Sequence, residues 1–147
     1  MALNTSKVVA GGLAAGVVLN VIDYVTYTIV LVDRVTAQAD AFKPGMAASM
    51  MSGNAITVYI ITDFIYGLLL VWTYAAIRPR FGPGPRTAML TALLFWILLA
   101  FCNAPSMLMG MVSAKLWWAE SFVMLVNLLI ATWIGAMIYK ESESMAA

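Results

Sequence analysis

Four long apolar runs dominate the chain, roughly Val8–Val32, Ala55–Ile77, Thr87–Gly110 and Leu116–Tyr139. A bilayer core about 30 Å thick needs about 20 apolar residues in helical form, so each run is long enough to cross. The pattern predicts an all-α, integral membrane four-helix bundle with antiparallel neighbours, one transmembrane domain over residues 1–147. The first run is about 25 residues, longer than the roughly 7–15 of a signal-peptide core, and reads as a retained span.

Polar residues recur inside the runs at helical spacing. Positions three and four apart share a face, so Gly12, Gly16, Asn20, Asp23 and Tyr27 form one stripe on the first span. Tyr59, Asp63, Tyr66 and Gly67 form another on the second, and Glu120, Met124, Asn127 and Ala131 one on the fourth. Gly12 and Gly16 are a GxxxG pair, which admits the close approach of another backbone. Close packing of spans one and two through these glycines is therefore expected.

The connections differ in kind. "IRPRFGPGPR" (77–86) holds three prolines, two glycines and three arginines. Proline fixes φ and ends a helix while glycine permits the turn, which predicts a short, stiff, basic hairpin between spans two and three. Arg78, Arg80 and Arg86 there are candidates for contact with anionic headgroups. The longer connection from Asp33 to Asn54 is less marked. "VTAQADAF" is readable as an extension of the first helix, and "MAASMMSG" as a short interfacial helix.

Composition narrows the class. Of 147 residues, 63% are hydrophobic and 10% charged, which places most of the surface in lipid. A net charge of +1 argues against a nucleic-acid partner. One cysteine and no histidine remove intrachain disulfides, CxxC redox motifs and most zinc sites. No cofactor is implied. An even number of spans puts both termini on one side. Lys7, Arg78, Arg80, Arg86 and Lys140 then share that side, against Arg34, Lys43 and Lys115 on the other. The excess favours cytoplasmic termini. Trp117 and Trp118 at one end of the fourth span, Tyr139 at its other end, and Trp72 and Tyr74 in the second read as interfacial anchors.

"WTYAAIRPRFGPGPRTA" (72–88) resembles a signature of small bacterial four-span membrane proteins that have no known function. The likeness extends to a first span opening "GG-x-x-AG" (Gly11, Gly12, Ala15, Gly16) and a last span with Trp118 and Glu120 closed by Tyr139–Glu141. It implies a bacterial inner membrane and the four-span fold, and nothing about mechanism.

Threading then brings the polar stripes together. Asp23 lies about three residues past the centre of its span, roughly 4–5 Å at 1.5 Å per residue. Asp63 lies about as far before the centre of the second, which runs the opposite way. Both carboxyls thus fall at nearly one depth, in the half facing away from the termini. Asn103 falls in the same half, Glu120 nearer its surface, and Asn20 and Asn127 near the midplane. No lysine or arginine lies within the spans. The acids must therefore carry protons, be hydrogen-bonded by Tyr27, Tyr59, Tyr66 and the asparagines, or hold a cation. An intramembrane carboxyl is by default a functional-site hypothesis, although buried polar residues also join helices.

Two weaker features remain. Pro105 cannot donate to the Phe101 carbonyl and is expected to kink or end the third span beside Asn103. Met107, Met109 and Met111, with Cys102 nearby, are soft donors that would suit Cu(I), but methionine is also flexible packing. The reading that emerges is non-enzymatic, because no nucleophile–base pair is visible. It is an acidic pocket, open away from the cytoplasm, that binds or helps translocate a cation, a proton or a small cationic solute. Its partners would be the lipid bilayer and a second copy or a membrane complex. The alternative is a structural or assembly subunit whose polar residues lock helices together.

Overall fold

The computed structural model describes residues 3–140 and is helical almost throughout. The elements are α1 (Thr5–Val25), a π-helical turn (Thr26–Val30), α2 (Val32–Phe42), α3 (Met46–Met50), α4 (Gly53–Phe81), α5 (Pro85–Leu108) and α6 (Ala114–Ile138). Four helical segments are long and apolar enough to cross a membrane: Thr5–Val30, α4, α5 and α6. The chain is a multi-pass, four-helix bundle. The connections after α1 and α5 lie at one end, here the long-loop end. The α4–α5 turn, the start of α1 and the end of α6 lie at the other, the hairpin end.

Local chemistry sets the boundaries. Asn4, Ser52 and Ser113 accept from the backbone N–H groups of Lys7, Ala55 and Leu116 at the starts of α1, α4 and α6, satisfying donors that a helix start leaves open. Pro85 begins α5, where no N–H is needed. Between α2 and α3, Asp40 Oδ1 accepts from Ala47 N at 3.0 Å.

Three boundaries differ from expectation. The first span does not run as one α-helix to Val32. It passes into the π turn, where Leu31 N bonds Thr26 O at 2.8 Å, and breaks at Leu31 before α2 starts in a new direction. Second, α4 continues past Ile77 to Phe81, with Pro79 inside its last turn. Proline's φ is already helical, so it costs one hydrogen bond there and no bend is forced. The turn itself is Gly82–Gly84, with φ of 84° and 119° at the two glycines, a region open to residues without Cβ. Third, Pro105 lies in the last turn of α5, and the helix runs on to Leu108.

Packing begins with missing side chains. α1 packs against α4 and α6, and α6 packs in turn on α5. A Cβ on Gly12 would lie 2.7 Å from Leu68 Cα, and one on Gly16 would lie 2.9 Å from Phe64 Cα. Gly67 answers from α4, where a Cβ would meet the Gly16 backbone N at 2.5 Å. Gly11 meets Gly135 O of α6 in the same way at 2.6 Å. The helices approach almost backbone to backbone, as small residues allow in membranes. Around these contacts Ala15, Leu70, Val71, Ala92 and Ala131 are fully enclosed, filling the hairpin half of the bundle. The outward faces are apolar: Val9, Leu13, Val17 and Val21 on α1, and Ile61, Ile65, Leu69 and Trp72 on α4, are all exposed. Such a belt suits hydrocarbon.

The hairpin end is closed by aromatic contacts. Tyr74 and Tyr139 meet edge to face with centroids 6.1 Å apart, and the Tyr74 hydroxyl accepts from Gly84 N at 3.1 Å. The Arg78 guanidinium lies 5.6 Å over the Tyr139 ring, a cation–π geometry. Arg78 thus packs against the bundle, whereas Arg80 and Arg86 are exposed. Tyr74 and Tyr139, read as interfacial anchors, are likewise buried. Glu141 of the expected closing motif lies outside the described residues.

Candidate functional site

The packed glycine core does not extend the full length of the bundle. Toward the long-loop end the spans enclose a cavity of about 320 Å³. Leu19 and Asp23 of α1, Tyr27 of the π turn, Asp63 and Tyr66 of α4, Asn103 and Ser106 of α5, and Trp117, Glu120, Ser121, Met124 and Asn127 of α6 line it. Every span therefore contributes a polar side chain to one wall. Leu128 and Ala100 also line it, and Leu128 belongs to the enclosed apolar core.

The lining follows from the helical stripes. On α6, Glu120, Met124 and Asn127 recur at spacings of four and three and all reach the cavity, while Ala131 one turn on is buried in the core. On α4, Asp63 and Tyr66 face inward beside Gly67. At Tyr27 the wider turn of a π-helix, a geometry that recurs at functional sites, carries the phenol ring to the mouth, where it is partly exposed.

Asp23 and Asn127, both in the wall, join α1 to α6 through their side chains. Asn127 Nδ2 donates to Asp23 Oδ1 at 2.6 Å and to Leu19 O at 3.4 Å. The Leu19 carbonyl can only accept, as can an ionised Asp23, so the amide faces them with its NH₂ group. Its Oδ1 then points the other way. That oxygen is shielded from solvent and has no partner, on a residue only 3% exposed. Among the described residues neither Asp63 nor Glu120 accepts a hydrogen bond, although Asp63 is 9% exposed.

Two other donors in the wall are committed. Asn103 Nδ2 donates to Leu99 O at 2.9 Å, and Ser106 Oγ donates to Asn103 O at 2.7 Å. Ser121 accepts from Trp96 Nε1, through its carbonyl at 2.9 Å and its hydroxyl at 3.2 Å. No lysine or arginine lines the cavity. Acceptors predominate in the wall: three carboxyls and the buried Asn127 carbonyl oxygen, beside tyrosine hydroxyls that can donate or accept and the Trp117 indole, which donates.

Of the residues singled out in the sequence, Asp23, Tyr27, Asp63, Tyr66, Asn103, Glu120 and Asn127 share this cavity. Asn20 does not. Its amide donates to Gly16 O at 2.9 Å and to Ile60 O at 3.4 Å, bracing α1 against α4. Tyr59 lies on the outer surface, half exposed. The two aspartates are also not level. Asn20 sits beside Ile60 and Gly16 beside Phe64, so Asp63 lies one turn or more, roughly 5–9 Å along the axis, closer to the core than Asp23. Residue counting assumes that the centres of the two spans face each other, and the register of α1 on α4 is staggered instead. Met107 lies in the last turn of α5 and Met109 and Met111 follow it, Met109 turned outward, and none of the three lines the cavity. Among the described residues no three His, Cys, Asp or Glu side chains are grouped to hold a metal ion.

Trp117, Ser106 and Ser121 were missed by the sequence reading. Trp117 was taken as an interfacial anchor, yet it faces the cavity while its neighbour Trp118 is outward, the rings edge to face at 4.8 Å. Its spacing of three from Glu120 was the available signal.

No protein-family model matches the chain, and comparison with curated proteins and with solved structures returns no match.

Proposed function

We propose that this membrane protein uses its acidic cavity to bind a cation or small cationic solute arriving from the side opposite its termini, as a receptor or as one stage of translocation. The observation that carries this reading is the wall itself. Asp63 and Glu120 reach a common cavity without a hydrogen-bonding partner among the described residues, and no basic side chain offsets them. Intramembrane carboxyls used only as glue are expected to be partnered, because burying an unpaired polar group is costly. The volume, about 320 Å³, is at the lower end of small-molecule sites. The core beyond Leu128 is closed, so passage to the other side would require the small-residue contacts to separate or a second subunit to complete the path.

A structural subunit is the second reading, favoured by the Asn127–Asp23 and Asn20–Ile60 bonds, which join spans directly. Access to Asp63 separates the two. In vesicles, a water-soluble carbodiimide with an amine nucleophile should modify Asp63 and Glu120, as read by mass spectrometry. Exposed Asp33 and Asp40 serve as internal controls. Modification of the controls alone would mean a sealed interior and would favour the structural reading.

Orientation belongs to the same proposal. The positive-inside rule places the termini and the hairpin in the cytoplasm of a bacterial inner membrane, with Arg80 and Arg86 at the headgroups. In a Cys102→Ser background, Lys43→Cys should react with an impermeant maleimide from outside intact cells, and Arg80→Cys should not. Labelling of both, or the reverse order, would overturn the assigned topology.

A further inference from the structure

Asn127 narrows the class of occupant. Its amide is fixed in orientation by Asp23 and Leu19 O, and this leaves a buried, unpartnered acceptor in the wall of the cavity. Asp63 and Glu120 bring further acceptors to the same space. The Asn103, Ser106 and Asn127 donors are bound to backbone carbonyls or to Asp23, and among the described residues the hydroxyls of Tyr27, Tyr66 and Ser121 and the Trp117 indole make no bond to Asp63, Glu120 or Asn127 Oδ1. An occupant that satisfies this wall must bring both positive charge and hydrogen-bond donors. Water brings donors without charge. A bare divalent ion brings charge without donors and needs about six oxygens converging within about 2.6 Å, and the acids here are not so grouped. A quaternary ammonium brings charge but no N–H.

We infer that the cavity is built for a small organic cation with several N–H donors, a primary ammonium or guanidinium group, seated between Asp63 and Asn127 Oδ1. The aromatic rings of Tyr27, Tyr66 and Trp117 in the wall would hold the rest of the cation by cation–π and apolar contact. This rests on the proposed cation-binding function and specifies its ligand.

The test is calorimetric titration of the full-length protein in nanodiscs with n-butylammonium, methylguanidinium, tetramethylammonium and Mg²⁺. One of the two N–H cations should bind about tenfold or more tightly than tetramethylammonium, since hydrogen bonds to charged groups add to a charge both ligands share. Asn127→Ala should lower that preference toward parity while tetramethylammonium binding persists. Should this variant fail to fold, the wild-type series decides alone. Equal binding of the N–H and quaternary cations, or binding of Mg²⁺ alone, would overturn the inference and leave an acidic cation site standing. A folded wild-type protein that binds none of the four would remove both the inference and the function beneath it.

Discussion

Gly67→Ala is expected to destabilise the bundle more than any other single-methyl addition. A Cβ there would meet Gly12 O together with the Gly16 N at 2.5 Å and its Cα at 2.9 Å. All three are backbone atoms of a helix held on its other side by α6, so none can rotate aside. Overpacking typically costs about 1–3 kcal/mol where side chains can yield. With only backbone to displace, about 3 kcal/mol or more is expected, or separation of α1 from α4. The control is Gly53→Ala. It starts α4 with no atom within 4 Å of the added Cβ, and it should be neutral or stabilising by about 0.5 kcal/mol through the unfolded chain. Thermal and denaturant unfolding in one detergent read both. Equal stability of the two variants would mean that α1 and α4 are not in backbone contact.

The second large effect concerns Asp23 and Asn127. Asn127→Ala removes the donor to Asp23 Oδ1 and leaves the carboxyl in the wall with no protein partner. Loss of a hydrogen bond to a charged group costs about 1.5–3 kcal/mol, and stranding a buried charge costs about 3–5 kcal/mol. A loss of about 2–4 kcal/mol is expected. Asp23→Ala with Asn127→Ala should recover part of it, so the double-mutant cycle should show a coupling above about 1 kcal/mol. Additive losses would mean that the 2.6 Å bond contributes no net stability. Asp23→Asn separates structure from function at the same place. It keeps an oxygen to accept from Asn127, so the fold should stand, while the lost charge should weaken cation binding at least about tenfold. Unchanged binding would make Asp23 a structural joint and move the site to Asp63 and Glu120.

How much of this was legible in the sequence depends on what period-three-and-four spacing can carry. Four spans followed from run length, because lipid imposes a length that water does not. The inward placement of Asp63, Glu120 and Asn127 followed from their stripes, and Gly12 and Gly16 from GxxxG spacing. What failed were features set by single backbone choices. Nothing in "TYTIV" announces a π turn, since an i→i+5 bond uses the same residues as an i→i+4 bond. The register of α1 on α4 was equally silent, and it sets Asp63 level with the turn of α1 at Gly16, not with Asp23. Pro79 and Pro105 looked like stops, but in a last turn proline forfeits one hydrogen bond and the helix tolerates it. Asn20 and Tyr59 showed the limit of a stripe wider than the cavity: a polar residue at the right spacing can brace a neighbouring helix or face outward. Gly135 had no glycine partner along its own helix, so its meeting with Gly11 was invisible before the spans were packed. Sequence alone groups Arg78 with Arg80 and Arg86, yet Arg80 falls on the opposite face of α4 and Arg86 on α5.

The Asp23–Asn127 bond also bears on how the protein is made. Its two ends are 104 residues apart in the chain, with α4 and α5 synthesised between them. When α1 leaves the ribosome, its aspartate has no mate, and an aspartate near the centre of a lone inserting helix costs about 2.5–3.5 kcal/mol. The apolar remainder of α1 must offset that cost unaided until the last span arrives. Asp63 then meets the same difficulty in its turn. Biogenesis of this bundle therefore passes through a half-built stage with two carboxyls in the membrane and no amide to receive the first of them. A chaperone or insertase that shelters polar faces would act on that stage, and truncation before α6 would leave it permanently exposed to membrane quality control.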